Sequence, residues 1–485
     1  MAVRCHRIAE VDPKLERQGN AMMSNSNLLH KSGTVRLWSI ARSLRVRKDS
    51  TAQSLKTVAV SMLIMIVNLL TGILTARYLG PAGKGESSAL LLWPTFLANL
   101  FRLGLPSALL FNMRRHPDDS APLYTTALMI CLGFGGFALT IGVLGVPHAL
   151  SSSSEQMIVY AQWFMLCAPI LLMEATNNAA LQARGEFLLF NRLRTLPHLG
   201  ALIGLAVLLL AGKLTPLSAA LAYSFTTIPV TLWLTSRLLS IYRLSIKRFK
   251  HSFGMIFRYA RSSSAADVLS SLSVYMDQLI VVALLRPADL GLYLVALSLS
   301  RVINVVHSSL VMVLFPKAAG LENKEAIELV KRIFRISLSM TMLAAIPMML
   351  LGTVVLNVLY GEQYTAAVSV YRILVLEAVI GGSTLILAQS FMSLGKPGYQ
   401  STLQAVGIGV GMVLMVILVP RFGLISAGIA LLTGSLIRLL LGLVFYKKVL
   451  HTPIPQLWMR WEDVRWLYSR FASVPTQQPD INDKE

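Results

Sequence analysis

Twelve long apolar segments constrain this chain more than any other feature of its sequence. Each is close to the roughly 20 residues that a helix needs to cross a bilayer. Charged residues make up only 14% of the chain, which is too few to cover the surface of a soluble protein of this size. A backbone in lipid must satisfy its own hydrogen bonds, so the segments predict helices. They are Ser54–Ala76, Ser87–Met113, Tyr124–Val146, Met157–Leu181, Leu196–Ala211, Pro216–Tyr242, Ser262–Leu285, Gly291–Phe315, Ile336–Leu359, Ala366–Met392, Ser401–Val419 and Gly423–Tyr446.

The cationic residues are distributed unevenly between the loops that join these segments. The chain has 44 Lys+Arg against 23 Asp+Glu, a net charge of +21. With the N-terminus placed in the cytoplasm, about 35 cations fall on the cytoplasmic side, as the positive-inside rule requires. We therefore expect both termini in the cytoplasm and no nucleic-acid partner. The cations expected outside are Arg77, Lys84, Lys213, Arg286, Arg372 and Arg421.

The sequence contains an internal repeat. Gly80–Gly85 reads GPAGKG and Arg286–Gly291 reads RPADLG, so Pro, Ala and Gly recur at an offset of 206 residues. Further matches at an offset of 210 pair Pro106 with Pro316, Ala108 with Ala318 and Gly185 with Gly395. Six segments in each copy give both copies the same orientation in the membrane. We predict an all-α integral membrane protein whose twelve transmembrane helices form two six-helix lobes, related by a pseudo-two-fold along the membrane normal.

Four regions follow from the repeat. Residues 1–53 form a basic cytoplasmic N-terminal segment, 54–250 the N-terminal lobe, 251–446 the C-terminal lobe and 447–485 a cytoplasmic tail. Apolar residues in the tail recur at helical spacing with arginines between them, which predicts an amphipathic helix lying in the membrane interface. These residues are Trp458, Trp461, Val464, Tyr468 and Phe471.

The sequence lacks the residue patterns of several kinds of functional site. The three cysteines show no metal-ligand spacing, so we expect no disulfide and no metal site. Gly83 and Lys84 are followed by Gly85 rather than by Ser or Thr, so there is no P-loop. No hydrolase pattern stands out in a loop, and we expect neither a cofactor nor an enzyme. A membrane glycosyltransferase or ligase stays open as the alternative from another class.

Seven of the charged residues within the predicted membrane segments are candidates for a functional or a pairing role. A charge at the bilayer centre costs about 2.5–3.5 kcal/mol even on the mildest scale, so each needs a reason. The seven are Arg102, Glu174, Asp267, Asp277, Arg301, Glu377 and Arg438.

The first segment carries a polar stripe at helical spacing, and its repeat copy carries carboxylates. The stripe comprises Ser61, Asn68, Thr71 and Thr75. At the 206 offset, Ser61 falls on Asp267 and Thr71 on Asp277. One interpretation is that segments 1, 2, 7 and 8 line a wet cleft, with Asp277 as the ion-coupling residue and Asp267 second. The other interpretation is hydrogen bonding between packed helices, with Asp277 neutralising a buried arginine.

Each half has one arginine in its second segment and one glutamate in its fourth. Arg102 and Arg301 fall on one helical face when the repeat is superposed, and so do Glu174 and Glu377. Two interpretations stay open. The arginines meet an anionic substrate, because a guanidinium binds two oxygens of a phosphate at once, or each forms an ion pair with the glutamate of its own lobe. Arg438 is a weaker candidate for the substrate.

The chain resembles the polysaccharide flippases of the multidrug/oligosaccharidyl-lipid/polysaccharide exporter superfamily over about residues 54–446. The motifs that carry the resemblance are Ala76–Pro81 with Gly85, Asp277 followed by Pro287, Gly291, Tyr293 and Ala296, Leu314–Pro316, Leu359–Gly361 with Tyr364, Gly395 with Lys396, and Gly423–Gly428. The resemblance implies a transporter that moves an undecaprenyl-diphosphate-linked oligosaccharide across the bacterial cytoplasmic (inner) membrane for polysaccharide or lipopolysaccharide biosynthesis, such as that of O-antigen or exopolysaccharide.

The resemblance also implies H⁺ or Na⁺ coupling and, as partners, proteins that polymerise or ligate the glycan. A cation-coupled multidrug or metabolite exporter of the same fold is the alternative within transport. Drug extruders of the superfamily often carry an acidic residue in the first helix, and the first segment here has none, which disfavours that alternative.

Overall fold

The computed structural model of the chain describes residues 32–150, 154–308, 310, 323–393, 396–463 and 465, with the backbone alone for 32–55. Contacts divide the chain into two compact units, Met1–Leu63 and Ile64–Glu485. The first unit is helical from Ser32, and the hydroxyl of Ser61 donates to the Thr57 carbonyl at 3.0 Å. The cavities and charged residues described below lie in the second unit.

Helices account for nearly all of the described backbone. They are α1 (Ser32–Leu100), α2 (Leu105–Arg115), α3 (Ser120–Ala149), α4 (Glu155–Phe164), α5 (Cys167–Arg184), α6 (Phe187–Leu210), α7 (Pro216–Tyr242), α8 (Phe249–Leu284), α9 (Pro287–Ser300), α10 (Asn323–Leu350), α11 (Gly352–Tyr360), α12 (Val368–Ser393), α13 (Pro397–Phe422) and α14 (Leu424–Val449). In the described residues, 11 helical stretches are long and apolar enough to cross a membrane. The first of them, Lys56–Leu100, contains a kink and holds most of the first predicted segment and the first part of the second.

The kink in α1 is made by two residues. Gly80 has φ 70° and ψ 178°, a left-handed conformation that suits glycine, and Pro81 follows it. Proline is well suited to the first turn of the new helix because it has no N–H to leave unsatisfied. The predicted loop Gly80–Gly85 is therefore a sharp kink, and the residues after Gly80 are already helical.

Arg102 and Arg301 both lie where a helix is interrupted. The predicted segment Ser87–Met113 breaks at a turn over residues 101–104, which contains Arg102. Gly104 then has φ 77° before Leu105 starts α2. In the second copy, α9 ends at Ser300 and a short 3₁₀ turn begins at Arg301. The sequence predicted uninterrupted helices here, because hydropathy does not register a one-turn break.

The predicted segment Ile336–Leu359 also differs from the structure. Its residues belong to two helices, α10 and α11, separated at Leu351. Helix α10 starts earlier, at Asn323, because its polar first turns continue the same helix beyond the apolar stretch.

The repeat turns touch each other. A Cβ added to Gly85 would lie 1.7 Å from the Pro287 carbonyl oxygen, and one added to Gly291 would lie 2.0 Å from that of Pro81. Gly85 and Gly291 are 206 residues apart, so the contact is reciprocal between equivalent positions. This contact defines what we term the Gly85 end of the molecule, which the sequence predicts to face outward.

Further contacts join the two halves at the Gly85 end. The hydroxyl of Tyr364 donates to the Ala76 carbonyl at 3.1 Å, and Arg77 donates to the Val358 carbonyl at 3.0 Å. The last turn of α1 before the kink is thereby fixed to residues from the C-terminal half.

At the other end, which we term the Gly104 end, α8 joins the halves. The Gly104 N–H donates to Asp267 at 3.0 Å, and the Asn112 side chain reaches the Met255 carbonyl at 3.4 Å. Ile256 belongs to the hydrophobic core of α2, α3, α5 and α7. The later part of α8 contacts the C-terminal half, where the Gln404 side chain donates to the Ser273 hydroxyl at 2.9 Å, and Leu279 to Val282 pack into a core that holds residues of both halves. Helix α8 therefore crosses from one half to the other.

Candidate functional site

Four neighbouring cavities form a cleft between the Gly85 and Gly104 ends. Their volumes are about 550, 360, 240 and 210 Å³. They adjoin because they share lining residues. Glu174 and His198 line both the 550 and 240 Å³ cavities, Tyr223 the 240 and 360 Å³ cavities, and Tyr275 the 360 and 210 Å³ cavities.

The largest cavity has charged walls, and we term it the arginine cavity. Arg102 comes from the break before α2, Glu174 from α5, and Arg194 and His198 from α6. Arg194 and His198 are four residues apart and hence on one face of α6. Two guanidinium groups thus face one carboxylate, so this wall carries excess positive charge even when His198 is neutral.

Arg102 has spare hydrogen-bonding capacity in this cavity. Its Nε is buried and has no hydrogen-bond partner among the described residues. A buried donor without a partner is costly, and a ligand that accepts the bond removes that cost. Arg102 also lines the 210 Å³ cavity together with Asp267. Asp267 itself accepts the hydrogen bond from the Gly104 N–H, next to the same break.

The polar stripe of α1 is divided between several environments. Asn68 and Thr71 line the 360 Å³ cavity, and Asn68 also makes a 2.8 Å hydrogen bond with the ring of His198. Thr75 is fully buried and its hydroxyl accepts from Lys84 at 2.9 Å. Ser61 lies in the first unit of the chain.

The C-terminal half contains a charge network of its own. Arg301 forms an ion pair with Glu377 at 3.2 Å, and the hydroxyl of Ser435 donates to the other oxygen of Glu377 at 2.8 Å. Arg438 donates to the Gly381 carbonyl at 3.4 Å. A Cβ on Gly381 would lie 2.9 Å from Glu377 Oε1 and 3.0 Å from a guanidinium nitrogen of Arg438, so a larger residue there would displace the ends of these two side chains.

Asp277 lies beside this network. Its carboxylate accepts a 2.7 Å hydrogen bond from the hydroxyl of Tyr293, and the residue is buried. The other oxygen, Oδ1, has no hydrogen-bond partner among the described residues. Arg301 and Glu377 both act on Asp277 electrostatically. A buried carboxylate with one free oxygen can accept a proton or contribute an oxygen ligand to Na⁺.

The structure therefore brings the predicted site residues together in two groups. Arg102, Glu174 and Asp267 line the cleft with Asn68 and Thr71. Arg301, Glu377 and Arg438 form the network beside Asp277 and line none of the four cavities.

Three residues of the cleft were missed by the sequence analysis, namely Lys84, Arg194 and His198. Lys84 was assigned to an outer loop, but it lies in α1 and lines the 360 Å³ cavity. Its repeat equivalent, Leu290, is fully buried, and an apolar residue at that position was a signal that position 84 faces the interior. For Arg194 and His198 the signal was their four-residue spacing, which places them on one face of a helix. Both residues are helical because α6 begins at Phe187, well before the predicted segment.

Comparisons with known sequences give a family and two partial relatives. Residues 73–369 match the family described as polysaccharide biosynthesis protein. The probable low-salt glycan biosynthesis flippase Agl15 of Haloferax volcanii is 22% identical over 179 residues, 36% of this chain and 38% of that protein. The uncharacterized membrane protein MJ1068 of Methanocaldococcus jannaschii is 26% identical over 170 residues, 34% of each chain. Little more than a third of either relative is matched.

Solved structures share the fold. The lipid II flippase MurJ in an inward closed conformation superposes with a TM-score of 0.69 at 14% identity, over 87% of this chain and 94% of that one. An inward-facing MATE family multidrug resistance transporter of the MOP superfamily gives 0.64 at 15% identity, over 80% and 94%. At these identities the likeness shows the fold alone. It confirms the predicted multi-pass, all-α fold of twelve helices in two lobes, and the comparisons agree with the expectation of a transporter rather than an enzyme.

Proposed function

The chain belongs to the polysaccharide biosynthesis protein family, and on that premise we propose that it is a secondary transporter of a lipid-linked oligosaccharide. The substrate we infer is an undecaprenyl-diphosphate-linked repeat unit, moved from the cytoplasmic to the outer leaflet of a bacterial cytoplasmic membrane. Both termini are then cytoplasmic, and proteins that polymerise or ligate the glycan act on the product.

The observation that carries this proposal is the arginine cavity. It is a polar cavity inside a membrane protein with an excess of guanidinium groups and a buried Arg102 Nε that no described residue satisfies. A diphosphate offers several oxygens to such donors, and a charge-assisted hydrogen bond is about twice as strong as a neutral one. A cationic drug would meet the same positive charge as repulsion, which favours the flippase over a multidrug exporter.

For coupling we infer a role of Asp277. The free Oδ1 and the hydrogen bond from Tyr293 suit a carboxylate that binds and releases H⁺ or Na⁺. Arg301 is close enough for its ion pair with Glu377 to respond to the charge of Asp277. Occupation of Asp277 by a cation weakens its attraction for Arg301, and this links the cation to the packing of α8, α9 and α12.

The flippase proposal is tested in proteoliposomes that contain a fluorescent undecaprenyl-diphosphate-linked oligosaccharide, with a membrane-impermeant reductant that quenches the outer leaflet. The wild-type protein is expected to make the whole substrate pool accessible, and Arg102→Gln to slow this about tenfold. Arg286→Gln is the matched control, because the Arg286 side chain is 83% exposed. Export of a cationic dye without lipid flipping would support the drug exporter instead, and glycan transfer between lipids would support a transferase.

The coupling role is tested in the same vesicles with an imposed H⁺ or Na⁺ gradient. Asp277→Asn is expected to flip at a rate that no longer depends on the gradient, while the protein stays folded in a thermal melt. Asp289→Asn is the control, since that carboxylate forms an ion pair at the Gly85 end with the exposed Arg286. Gradient-dependent flipping by a stable Asp277→Asn protein would contradict the assignment.

A further inference from the structure

Lys84 points into the protein rather than to solvent. It lies one turn after the kink at Gly80, where a lysine near a membrane surface ordinarily extends its amine to water. Instead, its Nζ donates a 2.9 Å hydrogen bond to the hydroxyl of Thr75. Thr75 is fully buried, so the ammonium group is held against the interior of the lobe.

The 360 Å³ cavity beside Lys84, which we term the lysine cavity, is lined by apolar and polar side chains but by no carboxylate. Its polar lining includes Asn68, Thr71, Ser298 and Tyr360. Among the described residues, none forms an ion pair with Lys84. A cation in such surroundings is poorly stabilised unless an anion joins it.

A second polar group in this cavity has hydrogen-bonding capacity to spare. The hydroxyl of Tyr360 is buried beside the Ser298 side chain and makes no hydrogen bond of good geometry with any described residue. Tyr360 comes from α11 in the C-terminal half, and Lys84 comes from α1. A ligand that accepts hydrogen bonds from both would therefore bridge the two halves close to the reciprocal contact of Gly85 and Gly291.

We propose that the lysine cavity is a second anion site, distinct from the arginine cavity, in which Lys84 and Tyr360 bind an acidic group of the lipid-linked substrate. This inference rests on the proposed function. Lys84 lies in α1 and Arg102 in the turn just after α1, 18 residues later, which corresponds to roughly 27 Å at the rise of a helix. One phosphate cannot reach both, so the anion at Lys84 is either a diphosphate that has moved toward the Gly85 end or an acidic sugar of the same molecule.

The binding test uses the full-length protein in detergent and acetic anhydride, which acetylates exposed amines. Lys84 acetylation is followed by mass spectrometry with inorganic pyrophosphate, glucuronate or glucose present. A ligand at about ten times its Kd is expected to reduce acetylation of Lys84 roughly tenfold. Lys213 is the control, since it is exposed and lines none of the four cavities.

The two sources of the anion are distinguished by the probe that protects Lys84. Protection by pyrophosphate alone assigns the site to the diphosphate, and protection by glucuronate assigns it to an acidic sugar. Protection by neither, or equal protection by glucose, would overturn the anion site. Tyr360→Phe should weaken the protection without preventing folding, because it removes only the hydroxyl.

The transport test separates this inference from the flippase proposal. Lys84→Gln is expected to slow flipping about tenfold and Lys84→Arg to restore most of it, while Lys213→Gln has no effect. If wild-type protein does not flip lipid, the flippase proposal fails, and protection of Lys84 by an anion still supports the site. If wild-type protein flips lipid but Lys84 is unprotected and Lys84→Gln flips normally, the lysine site alone is refuted.

Discussion

Each half of this protein has an arginine at a helix break, and the two halves use these arginines differently. Arg102 faces a cavity, with a buried Nε that no described residue satisfies. Arg301 lies at a break in the second half and forms an ion pair with Glu377. The two arginines do not occupy equivalent positions of the repeat, so the halves share an interrupted membrane helix but not the position or the partner of its charge.

The difference also suggests that the two halves have different functions. The N-terminal half presents cations to the cleft, where a mobile anion can bind. The C-terminal half pairs Arg301 with Glu377 and keeps the buried Asp277 beside them. Substrate binding and cation coupling are then placed in different halves, joined by α8.

The largest effect is expected where the repeat stays symmetric. Gly85→Val and Gly291→Val each insert a side chain where a Cβ would already lie 1.7 or 2.0 Å from a backbone carbonyl. Each should destabilise the protein by about 3 kcal/mol, the upper end for overpacking. Gly72→Val is the control, because nothing lies within 4 Å of its added Cβ. Thermal unfolding in detergent measures the loss, and very different losses at Gly85 and Gly291 would argue against the pseudo-two-fold.

The next effect concerns the paired arginine. Arg301→Gln leaves the buried Glu377 without its ion-pair partner, and we expect a loss of about 2 kcal/mol in unfolding free energy. The loss is moderate because the Arg301 side chain remains 40% exposed. The double variant with Glu377→Gln should recover most of the stability. If Arg301→Gln melts like wild type and instead slows flipping, then Arg301 acts on substrate and the two halves are alike.

The cleft arginine should respond in the opposite way. Arg102→Lys is expected to slow flipping about threefold without a change in melting temperature, because an ammonium group lacks the planar fork that binds two phosphate oxygens. Arg301→Lys should leave the flipping rate of the folded protein nearly unchanged. Measuring rate and melting temperature on the same preparations separates the two roles. Equal losses of rate in both variants would remove the contrast between the halves.

The smallest effect concerns the ion pair of Arg335 and Asp463, which lies outside the cleft. Asp463 in the C-terminal segment is fully buried and receives two 2.9 Å hydrogen bonds from Arg335 and one of 3.0 Å from the Arg460 N–H. Burial acts to raise the pKa of Asp463, but these hydrogen bonds outweigh it and the pKa lies below its ordinary value.

A group with a lowered pKa stabilises the fold above its unfolded pKa, about 3.9 for Asp, and the stabilisation is lost as the pH falls through the folded value. The C-terminal segment should therefore stay docked from pH 7 to pH 5 and detach below about pH 4. Release of the C-terminal peptide by pepsin measures the docking of this segment. At each pH, the release is divided by that of the Asp463→Asn variant, which lacks the carboxylate. A constant ratio between pH 5 and pH 3 would show that the ion pair does not hold the segment.

Two predictions for the tail and the termini remain predictions. Trp458 and Trp461 are exposed, as an interfacial segment requires, whereas Val464, Tyr468 and Phe471 lie outside the described residues. The cytoplasmic location of both termini rests on the distribution of cations in the sequence.

The sequence by itself determined the membrane class, the number of spans, the two-fold repeat and the family resemblance. These follow from hydropathy and from motifs that recur at a fixed offset, and both are properties of the chain read in order. It also identified seven costly membrane charges, because the cost of a charge in lipid does not depend on its partner.

The tertiary structure alone decided which charges pair and which face the cleft. Glu377 reaches Arg301, while Arg102 keeps a free donor, because the distances between helices differ between two halves that share a topology. Lys84 lines the cleft because a helix starts at the kink at Gly80, where the sequence predicted a loop. Charge pairing depends on contacts between helices that are far apart in the chain, and a periodic sequence pattern does not encode those distances.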